Sequence, residues 1–243
     1  MRRFENQVAV ITGANSGIGR SIALGLAQEG ASLVLIARDK DRLNKVAEIA
    51  GGFSPQVRTL ASDFNRDTDL SSLASRLNKD LPEVHLLIHS AGTIYFGGIK
   101  SEPVDNLDEL YRVLLRAPYL LTQALLPALR ACQGQIVFIN SSAGAAKPHA
   151  SNGLYATIKH GLRALTDSLR DEVNQDGIRV VSLFPGRTAT PMQAHVHDIE
   201  SRPYKPELLI QPEDVFEILA QTLTIPRTVE ITDIHFRPLV KSY

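Results

Sequence analysis

Tryptophan is absent from this chain of 243 residues, and cysteine occurs once. A single thiol, Cys132, permits no internal disulfide, which argues for a reducing compartment and against a secreted, bridge-stapled domain. Its default role is that of a small buried core residue. Charge of either sign is missing as an excess, because 26 Lys and Arg balance 26 Asp and Glu and leave a formal net charge of zero. A neutral chain has no electrostatic reason to bind nucleic acid or an anionic membrane. No run of eighteen apolar residues occurs, so no membrane span is expected. The basic start Met1-Arg2-Arg3 leads into a strand-length apolar run rather than a signal-peptide core with a cleavage site. A protein of the cytoplasm is therefore expected.

What is present alternates. Apolar, β-branched runs at Val8 to Ile11, Ser32 to Ala37, Val57 to Ala61, Val84 to His89, Gln135 to Asn140, Ile178 to Leu183 and Thr228 to His235 predict strands. Amphipathic stretches lie between them, including Ile18 to Ala27, Asp67 to Asn78, a long one from Asp105 to Arg130 in which Pro118 predicts a bend, one from Gly153 to about Asn174, and Glu213 to Leu223. With no composition shift or repeat, the pattern predicts one α/β domain over residues 1–243, a three-layer doubly wound parallel sheet. The polar, proline-spaced stretch Gln193 to Ile210 lacks a period and is expected to be a loop or lid.

In such sheets ligands sit beyond the carboxyl ends of the strands, and Thr12, Arg38, Asp63, Ser90, Ser142 and Pro185 all fall there. The first strand runs directly into Thr12-Gly13-Ala14-Asn15-Ser16-Gly17-Ile18-Gly19 and then a helix. Glycines let backbone amides approach a diphosphate, and the helix N-terminus favours the anion. The spacing, G-x-x-x-G-x-G, differs from the commoner G-x-G-x-x-G. The second strand ends at Arg38, where folds binding NAD place a carboxylate on the ribose, so a 2′-phosphate and NADP are expected. A merely solvated arginine is the alternative, and Asp39 keeps NAD open. Asp63, followed by Phe64, either reaches an adenine amine or caps the next helix.

Tyr155 and Lys159 stand at i and i+4 on a predicted helix, one turn apart on one face. A phenol near its reference pKa of about 10 is a poor base at neutral pH, and a neighbouring ammonium is expected to favour the phenolate. Ser142, thirteen residues upstream at the end of the fifth strand, could hydrogen-bond the same substrate oxygen. Phenol, ammonium and hydroxyl converging on one oxygen would form a general acid site for carbonyl reduction; an ordinary amphipathic helix with a Tyr and a Lys four apart, beside a common Ser-Ser loop, is the alternative.

With these residues in hand the sequence resembles the short-chain dehydrogenase/reductase family along nearly its whole length. The motifs that carry the resemblance are T-G-A-N-S-G-I-G at Thr12 to Gly19, S-A-G at Ser90-Ala91-Gly92, Ser142 with Y-A-T-I-K at Tyr155 to Lys159, and P-G-R-T-A-T at Pro185 to Thr190. The resemblance implies a Rossmann-type domain and reversible hydride transfer between nicotinamide and a carbonyl or alcohol. It implies Tyr155 as proton donor and acceptor, Ser142 as the group orienting the substrate oxygen, and Lys159 on the nicotinamide ribose, lowering the tyrosine pKa. It places Pro185, Gly186, Thr188 and Thr190 in the segment that fixes the nicotinamide carboxamide. Association into a homodimer or homotetramer through the Tyr155 helix and the long central helix is also implied.

Two positions depart from the family. Ser90-Ala91-Gly92 replaces N-A-G, and Leu114 stands where the family has an asparagine that holds a relay water behind the lysine. Leucine cannot hydrogen-bond, which motivates a second reading as a weakly active or non-catalytic NADP-binding sensor. A metal site at His195, His197, Asp198 and Glu200 is not expected, because no third histidine or cysteine lies nearby. A serine hydrolase is disfavoured because N-S-S-A-G lacks the G-x-S-x-G elbow.

Overall fold

The structure is a computed structural model that describes residues 2–240; Met1 and residues 241–243 lie outside the described residues. The strands β1 (Val8–Thr12), β2 (Ser32–Ala37), β3 (Val57–Ala61), β4 (Leu86–His89), β5 (Gln135–Ile139), β6 (Arg179–Pro185) and β7 (Asp233–Phe236) form one sheet. All are parallel, in the order β3-β2-β1-β4-β5-β6-β7. Helices cover both faces, which makes the three-layer, doubly wound Rossmann-type fold. The continuous apolar runs follow from this burial: Ala9, Ile11, Leu33 and Leu35 face one core while Val10, Val34 and Ile36 face the other. Residues such as Ile11, Val10 and Leu35 are wholly buried. Each such side chain contributes on the order of 2 kcal/mol.

The first core is closed by α1 (Gly17–Gln28), α2 (Lys40–Gly51) and α8 (Pro212–Leu223). The second is closed by α3 (Asp67–Asp80), α5 (Ala117–Ala131) and α6 (Gly153–Val173). The strand order reverses between β1 and β4, and the crevice beyond their carboxyl ends lies at that reversal.

Two stretches differ from expectation. The long central helix is α4 (Val104–Tyr111), a five-residue π turn at Arg112–Arg116, and then α5. Pro118, at the start of α5, has no N–H to donate back, which fits a register change just before it. The expected loop at Gln193 to Ile210 instead begins inside a helix, α7 (Pro191–Ile199), and carries a 3₁₀ turn at Pro206–Leu208. Thr190 caps α7 by accepting from the Gln193 N–H at 3.2 Å, and Pro191 occupies the first turn, where its missing donor costs nothing.

Candidate active site

Backbone geometry at the end of β1 makes a cradle only glycine can line. Gly13 and Gly17 have φ of +68° and +51°, in the left-handed region. A Cβ on Gly13 would lie 2.7 Å from the backbone of Ser90 and Ala91, and one on Gly19 would strike the carbonyl of Gly13. The buried Thr12 hydroxyl accepts from the N–H groups of Ser90 and Ala91, each at 3.1 Å, so the S-A-G segment is stitched to the glycine turn. Ser16 precedes α1 in extended conformation and its hydroxyl makes no capping bond, while Asn15 and Ile18 are half-buried beside it. Gly92 is exposed.

Arg38 stands exposed at the tip of β2. Asp39 is engaged: its carboxylate accepts from the Arg42 N–H at 3.0 Å, capping α2, and pairs with the Arg42 guanidinium at 3.3 Å. Asp63 accepts from the Asn65 N–H at 3.1 Å, so it closes a turn of its own while Arg66 takes the position that precedes α3. Neither sequence alternative for Asp63 describes that contact. Phe64 is buried in the second core. Beside Asp63, the buried Ser62 Oγ and Asn65 Oδ1 have no hydrogen-bond partner among the described residues.

Across the crevice, Pro185 ends β6 and the Gly186 N–H donates to the Phe236 carbonyl at 2.8 Å. Thr188 is buried and donates to the Gly186 carbonyl at 3.1 Å. The methyl of Thr190 lies 3.1 Å from where a Gly17 Cβ would stand, and the Met192 methyl 3.3 Å from the same point on Gly92. The start of α7 therefore rests over the glycine turn. Around α7, His197 Nδ1 meets the Gln193 carbonyl at 2.8 Å and Glu200 pairs with Arg187 at 2.8 Å, while His195 and Asp198 are exposed.

Near the start of α6, Tyr155 and Lys159 are both buried, at 8% and 4% exposure. Lys159 Nζ lies 5.8 Å from the Tyr155 ring centre and donates to the Ile139 carbonyl at 3.0 Å. Burial, which penalises the charged form, dominates both groups. It pushes the Tyr155 phenol up to about 12 and the Lys159 ammonium down to about 7. Against the rise that burial imposes on the phenol, the Ser141 hydroxyl, a hydrogen-bonding neighbour, acts in the lowering direction. Ser141, not Ser142, is thus the serine that the structure brings to the phenol. A 3₁₀ turn at Ser142–Gly144 starts immediately after it, with Ser141 Oγ accepting from the Ala143 N–H at 3.2 Å, and Ser142 is left exposed. Counting from the tyrosine could not separate adjacent serines; the half-buried position next to β5 does.

Leu114, 1% exposed, packs with Leu110, Tyr155 and Ile158. An apolar wall therefore backs the phenol on the α4 side.

The profile of the family described as short chain dehydrogenase matches residues 7–201. An uncharacterized oxidoreductase of Staphylococcus epidermidis is 28% identical over 240 residues, covering 98% of this chain and all of that protein. Among solved structures, an alcohol dehydrogenase from the archaeon Thermococcus sibiricus, complexed with 5-hydroxy-NADP, superposes with a TM-score of 0.85 at 27% identity, over 98% of each chain. A metagenomic short-chain oxidoreductase in complex with NADP gives 0.82 at 29% identity, over 98% of this chain and 100% of that one. Motifs, sheet order and crevice agree with the match along four fifths of the sequence, and the chain belongs to the short chain dehydrogenase family.

Proposed function

We propose that this protein is an NADP-dependent carbonyl reductase or alcohol dehydrogenase, acting on a small-molecule carbonyl or alcohol, with Tyr155 as the general acid and base. The observation that carries the reading is the burial of Tyr155 and Lys159 on one face of α6, with the Ser141 hydroxyl against the phenol. The glycine cradle fits a dinucleotide diphosphate, and the unpartnered Ser62 and Asn65 oxygens beside Asp63 suit the polar edge of an adenine. Asp39 is occupied as a helix cap while Arg38 stands open, which favours a 2′-phosphate over a bare ribose. The NADP bound by related structures supports the same choice.

When bound, the nicotinamide supplies or accepts the hydride. A phenol held near 12 is protonated at neutral pH, so Tyr155 Oη can give its proton to a carbonyl oxygen as that oxygen gains charge. The Ser141 hydroxyl orients the oxygen. Lys159, held near 7, carries a proton part of the time at neutral pH and can return one toward the phenol. In oxidation the same groups run in reverse. Thr188 and Thr190 line the opposite wall, and we assign the working unit to residues 1–243. The exposed apolar side chains Val104, Tyr111 and Tyr119 on α4 and α5 favour a homodimer or homotetramer built on that surface.

The test mixes purified protein with NADPH or NADH and a panel of aldehydes, ketones and quinones, following absorbance of the reduced nicotinamide. NADPH is expected to be consumed with at least one class, and Tyr155→Phe to lose about 10²-fold or more in kcat while still binding cofactor. Cofactor binding without turnover across the panel, or a fully active Tyr155→Phe, would overturn the assignment.

A further inference from the structure

Both polar atoms of the Asn140 amide are committed between the end of β5 and α6. It is 3% exposed at the end of β5. Its Oδ1 accepts from the Ser141 N–H at 2.9 Å, and its Nδ2 donates to the Lys159 carbonyl at 3.3 Å. Only one orientation of the amide satisfies both contacts, since one partner is a donor and the other an acceptor. Its own N–H donates to the Leu183 carbonyl at 2.8 Å, which fixes the residue against β6.

Packing closes the remaining space. A Cβ on Gly144 would lie 2.5 Å from Asn140 Oδ1 and 2.9 Å from the Lys159 carbonyl, so the 3₁₀ turn can seat there only because residue 144 has no side chain. Consecutive residues of the strand end thus hold one lysine at both ends: Ile139 takes its ammonium and Asn140 its backbone carbonyl. A helix carbonyl already accepts within the helix, so the extra donor from Asn140 adds nothing that α6 needs for its own formation. What it does is tie α6 at Lys159 to the amide of Ser141.

We infer that Asn140 is a positioning residue for the reaction, setting the distance between Ser141 and the Tyr155–Lys159 face through one buried amide. The inference rests on the proposed roles of Ser141, Tyr155 and Lys159. Without the amide, α6 and the Ser141 turn remain folded but lose their common reference, and a displacement of about 1 Å at reacting groups can cost on the order of 100-fold.

Two substitutions separate positioning from packing. Asn140→Asp keeps the shape and the acceptor for Ser141 but loses the donor to Lys159, whereas Asn140→Ala loses both contacts. In each, kcat is expected to fall about 10- to 100-fold with KM little changed, and the midpoint of the kcat–pH profile to move away from the wild-type value. The second readout needs no cofactor or substrate: the Lys159 ammonium, titrated by NMR in the free protein, should lose its proton at higher pH in Asn140→Ala as its seat loosens and water reaches it, and in Asn140→Asp the new carboxylate adds to that rise. A folded Asn140→Asp with wild-type kcat, pH midpoint and Lys159 titration would overturn the inference, and if that variant does not fold, Asn140→Ala decides by the same three measurements. A fully active Tyr155→Phe removes the site assignment and this role with it. An inactive Tyr155→Phe beside unaffected Asn140 variants removes the Asn140 role alone.

Discussion

A single hydroxyl shows how much one backbone turn decides. Tyr155 and Lys159 were legible in the sequence because helical spacing alone puts them on one face, and the structure adds only their burial. The serine was not, because Ser141 and Ser142 are chemically identical neighbours and the choice between them depends on where the 3₁₀ turn begins. Starting at Ser142, the turn carries that side chain outward and leaves Ser141 beside the phenol. Ser141→Ala is therefore expected to lower kcat by about 10²-fold, the scale of losing one preorganised donor to a developing oxyanion. Ser142→Ala should stay near wild type. Steady-state kinetics on the two variants with one substrate decides the matter, and the reverse ranking would return the role to Ser142. The direction of the tyrosine shift was also hidden from the sequence, since spacing reports proximity but not the loss of water that dominates both groups.

Elements are legible in the sequence where apolar period and punctuation agree, as in β1 with its glycine turn and α1, and hidden where they conflict. For α7 the absence of period outweighed Thr190 followed by Pro191, a helix-start signal that the structure uses. The π turn left no signal beyond Pro118 itself. Gly25, in the middle of α1, looks like a weak point for a helix but faces the Phe216 ring of α8. A Cβ there would overlap three atoms of that ring, so the crossing of α1 and α8 depends on the missing side chain. Gly25→Ala gains about 1 kcal/mol of helix propensity but overpacks a rigid aromatic, which typically costs about 1 to 3 kcal/mol. The net expectation is a destabilised protein. Phe216→Leu, destabilising alone, should make Gly25→Ala less harmful in the double variant, and urea unfolding of the four proteins measures that coupling. Strict additivity would show that the ring is not what Gly25 accommodates.

At the scale of the whole molecule, the sheet follows from its sequence because strands buried on both faces must be apolar at nearly every position, and departures from that rule stand out. His89 is such a departure: it ends β4, is 4% exposed, stacks on Phe138 and meets Thr122 through Nε2 at 2.9 Å. Burial pushes its pKa down to about 3 from 6.5. Between those values the unfolded chain binds a proton that the folded chain refuses, so stability must fall as pH drops below 6.5. Other shifted groups act elsewhere. Glu29 and Glu200 have lowered pKa values, so their contribution is complete above 4.5 and is lost only below it. Lys159, lowered to about 7 from 10.5, makes stability rise with pH across that higher interval and is level below it. The interval from 4.5 to 6.5 is left to His89, with a slope approaching 1.4 kcal/mol per pH unit, about one proton's worth. His89→Gln, which keeps a polar end for Thr122, should flatten the unfolding free energy by about that slope across the interval. Denaturant titrations of both proteins at several pH values measure it, and parallel profiles would mean that the buried imidazole accepts its proton without opening the sheet.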